Sequence, residues 1–359
     1  MNKKNVSKAA ITILKYGISL GLLGYLFYSA AGNESFAALR DEEKNWPLLA
    51  AAYFIALGGL SLTFIRWCYL VRALDIPFRM SDAFRLGFLG YLLTFFTLGV
   101  VGGDTLKAVF LARERPLKRT EAVASVVLDR MIGLYALVLT AAIGLLFLDP
   151  LTAVGLTAEQ QQTIRIMTTT VWAVALAGAL SGLLLLPGVL SSHFWKPVTS
   201  IPKVGAVVDR ILGALESYRQ QKAVLLLALV MSCGTHLLFA LAVYCTSLSL
   251  GGESASLLGH LAIVPICMLA NALPLPGGLG AFEYALTFLY TGFFPNVTTQ
   301  HGFITALAFR VITILLASIG LAYYVAHRRQ VKRLLAEANA RDDDSETAPA
   351  EPATDSPAG

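Results

Sequence analysis

Residues 257–294 read LLGHLAIVPICMLANALPLPGGLGAFEYALTFLYTGFF and set the architecture of the whole chain. The stretch is mostly apolar, but the segment 274–278, PLPGG, breaks it near its middle. A membrane-spanning helix needs about 20 apolar residues, so the stretch has the length of two helical segments. The loops before and after it, 251–256 and 295–301, both lack Lys and Arg. Because Lys and Arg mark the cytoplasmic side of a membrane, we expect a re-entrant hairpin that opens to the outside.

Long apolar runs fill most of the remaining sequence. Of the 359 residues, 56% are hydrophobic and 14% are charged, whereas a soluble domain carries roughly 25% charged residues. Six runs are long enough to cross the hydrocarbon layer, and they occupy residues 11–31, 48–67, 132–148, 164–186, 224–250 and 303–326. The composition therefore predicts an all-α polytopic membrane protein.

The positions of Lys and Arg orient these runs. Lysines precede the first run and place the N-terminus inside. The apolar region 84–111 has basic residues on both sides: Arg66, Arg72, Arg79 and Arg85 come before or at its start, and Lys107, Arg113, Arg115, Lys118 and Arg119 come at its end or after it. A single crossing would put one cluster outside. We therefore expect a first hairpin that opens to the cytoplasm, with its tip at Gly99 and Gly102-Gly103, since non-helical backbone is tolerated at that depth where protein or water covers it.

The order of elements then repeats as span, span, hairpin, span. The first half, about 8–148, starts inside, and the second, about 164–333, starts outside. Inverted repeats of this kind are common in transporters, whose binding sites lie near the midplane at discontinuous helices. We expect about six full spans, two hairpins with tips close together near the membrane centre, and both termini in the cytoplasm. Residues 1–333 form the transmembrane domain, and the composition of 334–359 is typical of a disordered tail.

Both hairpin tips carry glycines that are candidates for substrate binding. They are Gly102 and Gly103 in the first tip and Gly277, Gly278 and Gly280 in the second. A helix N-terminus offers unpaired N–H groups and partial positive charge, and a glycine there lets a phosphate approach the backbone. Alternatively, the glycines only allow the hairpins to turn and pack tightly. The sequence leaves both interpretations open.

A carboxylate follows each pair of glycines, near the first turn of the outgoing half-helix. Asp104 and Glu283 are explained by helix capping, or they bind a cationic head group or carry a proton. Lys107, one turn beyond Asp104, is placed to pair with it or to contact a phosphate. Asn271 is placed to hydrogen-bond across the second hairpin.

Charged residues also occur in the spans that follow the hairpins. Asp129 and Arg130 stand at the start of the run 132–148, as an interfacial pair with a structural role or as substrate contacts. Arg310 lies well inside the last run, where a charge is costly and faces a partner or a watery cavity. Glu283 is its natural partner, and we expect the two to form a coupled pair that faces a polar cavity.

The sequence gives no sign of a cofactor, metal or catalytic centre. The four cysteines are scattered without a C-x-x-C pair, and nucleotide-binding and metalloprotease motifs are absent. The Lys and Arg lie in loops between spans, where the membrane explains them without a nucleic acid. We therefore expect no enzyme activity, because a transferase needs a positioned base and a donor site.

Three stretches together resemble a known family. They are VVGGDTLK at 100–107, SVVLDRMIGL at 125–134 and PLPGGLGAFE at 274–283. In this order they are similar to the flippase-like family, also called the lysylphosphatidylglycerol synthetase transmembrane region, over about residues 8–333. The resemblance implies translocation or handling of lipids such as aminoacylated phosphatidylglycerol, hopanoids or polyprenyl-linked glycans. No soluble aminoacyl-transferase domain follows the spans, so we do not expect lysyl-lipid synthesis.

The function we expect is lipid translocation in the cell inner membrane. A polar head group would enter a cavity between the two hairpins while its acyl chains stay in lipid. Two alternatives remain open: a membrane-embedded transferase or its accessory subunit in envelope-lipid or glycan synthesis, and a structural or regulatory partner of such a complex. A membrane lipid is the expected ligand, and a homo-oligomer or an envelope-synthesis partner is compatible with the sequence.

Overall fold

The computed structural model of the protein describes residues 43–96, 101–114, 118–147, 157–181, 218–270, 279–294 and 296–326, and the single positions 205, 213 and 216. Within these residues the chain forms helices and no strand. The helices are α1 (Trp46–Arg72), α2 (Met80–Phe96), α3 (Val101–Glu114), α4 (Arg119–Leu145), α5 (Ala158–Ser181), α6 (Lys222–Ser249), α7 (Leu257–Leu269), α8 (Ala281–Phe293) and α9 (Thr299–Ala326).

Five of these helices, α1, α4, α5, α6 and α9, are long and apolar enough to cross a membrane. The predicted class, an all-α polytopic membrane protein, is therefore confirmed. The predicted first span, 11–31, and the tail, 334–359, lie outside the described residues. The count of six spans accordingly stays a prediction.

The helices α1 and α6 pack together as an antiparallel pair. Where α1 begins, the backbone N–H of Asn45 donates to the carbonyl oxygen of Ser249, at 2.9 Å. Where α1 finishes, the Tyr218 hydroxyl, just before α6, donates to the carbonyl oxygen of Leu70, at 2.7 Å. These contacts define the two ends of the bundle, which we name the Asn45 end and the Leu70 end.

Two helical hairpins open at opposite ends of this pair. Lys118, after α3, donates to the carbonyl oxygens of Leu74 and Asp75, before α2, so the α2–α3 hairpin opens at the Leu70 end. In the α7–α8 hairpin, Tyr290 hydrogen-bonds His260, and the following helix begins at the Asn45 end, where His301 contacts Ser247. At 1.5 Å per residue, α3, α7 and α8 reach at most ~21 Å, short of the ~30 Å hydrocarbon layer. Both features support the predicted hairpins.

In the predicted repeat, α1, α2 and α4 correspond to α6, α7 and α9, and the contacts between these helices correspond as well. The helix α4 packs on α7, and α9 packs on α2. Likewise α1 packs on α2 and α6 packs on α7. The contact between α1 and α6 is its own counterpart, because these two helices correspond to each other. Two copies of one unit would produce this pattern. It supports the inverted repeat, which stays a prediction because no membrane orientation is fixed by these contacts.

Glycine permits the two crossings between the halves. A Cβ added at Gly320 in α9 would lie 2.3 Å from the carbonyl oxygen of Phe88 in α2. A Cβ added at Gly144 in α4 would lie 2.4 Å from the Cα of Ala262 in α7. Since small residues let membrane helices approach closely, each half docks its last span on the hairpin of the other half through a glycine.

The two ends of the bundle differ in charge. The Leu70 end holds the basic residues Arg72, Arg79, Arg113, Lys118, Arg119, Arg219 and Lys222. Around the Asn45 end, the described loop residues include two carboxylates, Glu43 and Glu253, and one lysine, Lys44. Because loops rich in Lys and Arg stay in the cytoplasm, we expect the Leu70 end to be cytoplasmic.

This orientation is tested with single cysteines in a protein whose four native cysteines are replaced. We expect an impermeant maleimide to label Thr298→Cys and Glu253→Cys in intact cells, and Ser81→Cys only after permeabilisation. All three positions are exposed, so a failure to react reports the side of the membrane rather than burial. Labelling of Ser81→Cys in intact cells would contradict the first hairpin or its orientation.

Candidate functional site

A cavity of about 290 Å³ lies between the first hairpin and the spans α1, α4 and α9. Its charged lining residues are Arg66, Asp104, Lys107, Asp129, Arg130 and Arg310. Aromatic and apolar side chains complete the wall, among them Phe64, Tyr91, Phe239, Met268 and Phe309. Residues from both halves of the chain therefore meet at one cavity, whose mainly apolar wall carries several charged side chains.

The predicted ion pair between Glu283 and Arg310 is present. Glu283 is fully buried in the first turn of α8, and its Oε1 accepts from Nε of Arg310 at 2.5 Å. Its Oε2 accepts from the backbone N–H of Gly280 at 2.8 Å. Gly280 has φ 84°, a conformation that glycine adopts without strain. Glu283 thus caps its helix and also pairs with the arginine, while binding of a cationic head group or a proton stays a prediction.

Asp104 and Arg130 form the corresponding pair in the first half. Nε and Nη2 of Arg130 both donate to the Asp104 carboxylate, with the Nη2 contact at 3.0 Å. This two-point contact is the strong form of an arginine–carboxylate bond. Arg130 and Arg310 stand at the same place in α4 and α9, which begin at Arg119 and Thr299. Each therefore holds the carboxylate in the first turn of the preceding hairpin helix.

The two corresponding pairs differ in exposure. The Arg130 side chain is 47% exposed and Asp104 is 18% exposed. Arg310 is 11% exposed, and Glu283 is fully enclosed. The first pair is therefore the more exposed one, whereas in the second pair Arg310 reaches the cavity wall and Glu283 is enclosed.

Asp129 does not pair with its neighbour Arg130, and it does not stand at the start of a span. The helix α4 begins at Arg119, so Asp129 lies well inside it. Adjacent helical residues do not face each other, and Asp129 turns instead toward α1. Its Oδ1 accepts from Nε of Arg66 at 2.8 Å, and its carbonyl oxygen accepts from Nη2 at 3.1 Å. The expected interfacial pair is therefore wrong.

Arg66 is the functional candidate that the sequence does not reveal. Besides its bonds to Asp129, its Nη1 donates to Oγ of Ser232 at 2.5 Å. All three side chains are buried, and they join α1, α4 and α6. Arg66 stands at the end of the apolar run 48–67 and resembles a loop charge, but α1 continues to Arg72 and keeps it inside the bundle. The only signal was its position between the apolar residues Ile65 and Trp67.

Lys107 lies in α3, one turn after Asp104, and lines the cavity. Its Nζ is 3.9 Å from Oδ1 of Asp104, and 5.0 Å from the centroid of the Trp67 ring. The side chain is only 12% exposed. The predicted contact with Asp104 is present but long, and a phosphate contact stays a prediction.

Gly103 of the first tip serves helix packing. A Cβ at Gly103 would lie 2.5 Å from the carbonyl oxygen of Gly90 in α2, so Gly103 is required for the close approach of the two hairpin helices. Gly102 precedes it in the first turn of α3. In the second tip, Asn271, Gly277 and Gly278 lie outside the described residues. Phosphate binding at either tip stays a prediction.

The approach of the two tips also stays a prediction, with partial support. Met268, near the end of α7, lines the same cavity as Gly103 and Asp104. The residues that would form the turns themselves, 97–100 and 271–278, lie outside the described residues. Among the residues that are described, no cluster of three His, Cys, Asp or Glu side chains could hold a metal ion.

The chain is similar to a known protein family. The model of the family described as Lysylphosphatidylglycerol synthase TM region matches residues 12–320. The matched range contains every charged residue of the cavity. No curated protein matches the chain.

The buried pair of Arg66 and Asp129 should support the fold. Arg66→Met leaves the Asp129 carboxylate buried without its partner, which costs about 3–5 kcal/mol. We expect a lower midpoint of thermal unfolding in detergent for Arg66→Met and for Asp129→Leu, and a loss in the double variant that is smaller than the sum of the two.

A matched control is Arg219→Gln, which breaks the exposed pair of Arg219 and Glu216. Such pairs are worth roughly 0–1 kcal/mol, so its midpoint should stay near that of the unchanged protein. Strictly additive losses in the Arg66 and Asp129 variants would contradict their coupling.

Proposed function

The chain belongs to the family described as the Lysylphosphatidylglycerol synthase TM region, and from this premise we propose that it is a lipid translocase. The family makes it a membrane protein of lipid metabolism or transport. The proposal adds that it moves a polar lipid head group between the leaflets of the cell inner membrane. The proposal also places the Leu70 end and both termini on the cytoplasmic side of that membrane.

The observation that carries the proposal is a charged cavity inside a bundle of apolar helices. Ionisable side chains within membrane helices are costly, and they mark substrate pathways. The cavity of about 290 Å³ is near the lower limit of small-ligand sites. A lipid head group is small enough for such a space, while its acyl chains remain in the surrounding lipid.

The two corresponding ion pairs suggest how a head group would cross. Asp104 and Arg130 are the more exposed pair at the cavity, whereas Glu283 is covered and Arg310 reaches the cavity wall with a largely covered side chain. In transporters with inverted repeats, the two halves exchange conformations around a fixed site. By this mechanism the covered pair would become accessible from the opposite side as the first pair closes. The head group would then pass from one pair to the other.

The chemistry of the cavity supports transport over group transfer. Among the described lining residues there is no histidine or cysteine. Its two carboxylates, Asp104 and Asp129, are both held by arginines. A general base must be free to take a proton from a bound substrate, and a carboxylate engaged by arginine is poorly suited to this role.

The proposal is tested with purified protein in liposomes that carry a fluorescent phospholipid or a fluorescent polyprenyl-linked lipid in both leaflets. Dithionite added outside should quench only outer-leaflet probes in protein-free vesicles, and should reach inner-leaflet probes when the protein is present. The assay is repeated with an imposed proton or sodium gradient. If the protein moves no phospholipid or polyprenyl-linked lipid under any of these conditions, the translocase proposal fails and an accessory role in lipid synthesis replaces it.

The Glu283–Arg310 pair should be needed as a unit for transport. Removing one member strands the other charge in the bundle. We expect Glu283→Gln and Arg310→Gln each to lower the rate of lipid movement about tenfold, equivalent to ~1.4 kcal/mol. The double variant should lose less than the product of the two effects.

The rate is measured in the liposome assay, with Arg219→Gln as the control for loss of a partly exposed arginine outside the cavity. Multiplicative losses would count against coupling. Full activity in both single variants would show that neither residue handles the substrate, and would leave the pair with a structural role.

A further inference from the structure

The charges at the cavity can be matched pair by pair. Arg66 is held by Asp129, Arg130 by Asp104, and Arg310 by Glu283. Lys107 is the fourth cation on the cavity wall. Its carboxylate contact is Asp104, at 3.9 Å, and that carboxylate already accepts two hydrogen bonds from Arg130. Within the described residues, four cations at the cavity are therefore matched by only three carboxylates, which leaves one excess positive charge.

The packing of the repeat does not require this lysine. Asp104 and Glu283 are corresponding residues, and Lys107 stands three positions after Asp104. Three positions after Glu283 stands Leu286, which is fully buried in the apolar core. An apolar side chain thus fills the same place in the second half. The lysine is a feature of the cavity rather than of the hairpin.

A nearly enclosed ammonium group with a shared counter-charge is unfavourable in the empty protein. Taking a charge out of water costs several kcal/mol unless a partner and hydrogen bonds replace the water. An anion that entered the cavity would supply both. Phosphate oxygens form strong charge-assisted hydrogen bonds with lysine and arginine, and Lys107 and the half-exposed Arg130 face the same space.

We propose that Lys107 binds the phosphate of an anionic lipid head group, with Arg130 as the second donor. The inference rests on the proposed translocase function and narrows its substrate. The lipid carries a phosphate with a net negative charge, as an anionic glycerophospholipid or a polyprenyl phosphate does. Neutral lipids without phosphate, such as hopanoids or uncharged glycolipids, lack the group that Lys107 recognises.

Binding is measured without transport, through the fluorescence of Trp67. The Lys107 ammonium group lies 5.0 Å from the centre of the Trp67 ring, so an anion that draws it away should change the emission. The protein used carries Trp46→Phe, Trp172→Phe and Trp195→Phe, which leaves Trp67 as its single tryptophan. The probes are dihexanoyl-phosphatidylglycerol, dihexanoylglycerol and inorganic phosphate.

We expect dihexanoyl-phosphatidylglycerol to bind at least tenfold more tightly than dihexanoylglycerol, which has the same chains but no phosphate. Equal affinity of these two probes for the protein with Lys107 in place would by itself overturn the proposal. Inorganic phosphate should compete only weakly, because it lacks the chains that remain in lipid. If free phosphate binds as tightly as the lipid, the site is one for a soluble anion and the lipid assignment is wrong.

The lysine itself is tested by substitution. Lys107→Gln should weaken binding of dihexanoyl-phosphatidylglycerol at least tenfold and leave dihexanoylglycerol unchanged, and Lys107→Arg should retain the selectivity. Lys222→Gln, an exposed lysine at the start of α6 and outside the cavity, is the matched control. Folding of Lys107→Gln is checked by its elution volume in size-exclusion chromatography. If the correctly folded variant keeps the preference for dihexanoyl-phosphatidylglycerol over dihexanoylglycerol, the lysine merely balances Asp104 and the proposal is overturned.

Binding and transport fail separately. Selective binding that depends on Lys107, in a protein that moves no lipid in liposomes, would overturn the translocase and leave the anion site standing. Transport that continues at full rate in Lys107→Gln, with no preference for anionic lipids, would overturn the anion site and leave the translocase standing.

Discussion

Charge is expensive in hydrocarbon, and this cost governs how the bundle is assembled. Each arginine at the cavity contacts a carboxylate on another helix: Arg66 reaches from α1 to α4, Arg130 from α4 to α3, and Arg310 from α9 to α8. An unpartnered charge in the interior would cost several kcal/mol, so these pairs limit which helices can be neighbours. The apolar side chains fill the remaining space, since lipid tails satisfy them as well as other helices do.

The two hairpins bring the paired charges to the cavity. A hairpin helix of 13 or 14 residues begins inside the bundle rather than at its surface, which places a first-turn carboxylate at depth. The carboxylates Asp104 and Glu283 then meet arginines at the same place in the following spans. Because both halves are built in this way, and each docks on the other's hairpin, polar groups from the two halves are brought to one cavity. Lys107 has no charged counterpart in the second half, where Leu286 takes its place, and it gives the cavity its excess positive charge.

The sequence by itself determined the membrane class, the helical segments and the breaks between them, because a ~30 Å apolar layer imposes a length and a composition that are visible locally. It also paired Arg310 with Glu283, since a charge deep in an apolar run needs a partner and the preceding hairpin helix supplies one nearby. Tertiary structure alone decided that Asp129 binds Arg66 rather than stands beside Arg130 as an interfacial pair, and that Ser232 joins them. The reason is that these partners lie far apart in the chain, and a local pattern records whether a side chain needs a partner but not which distant helix provides it.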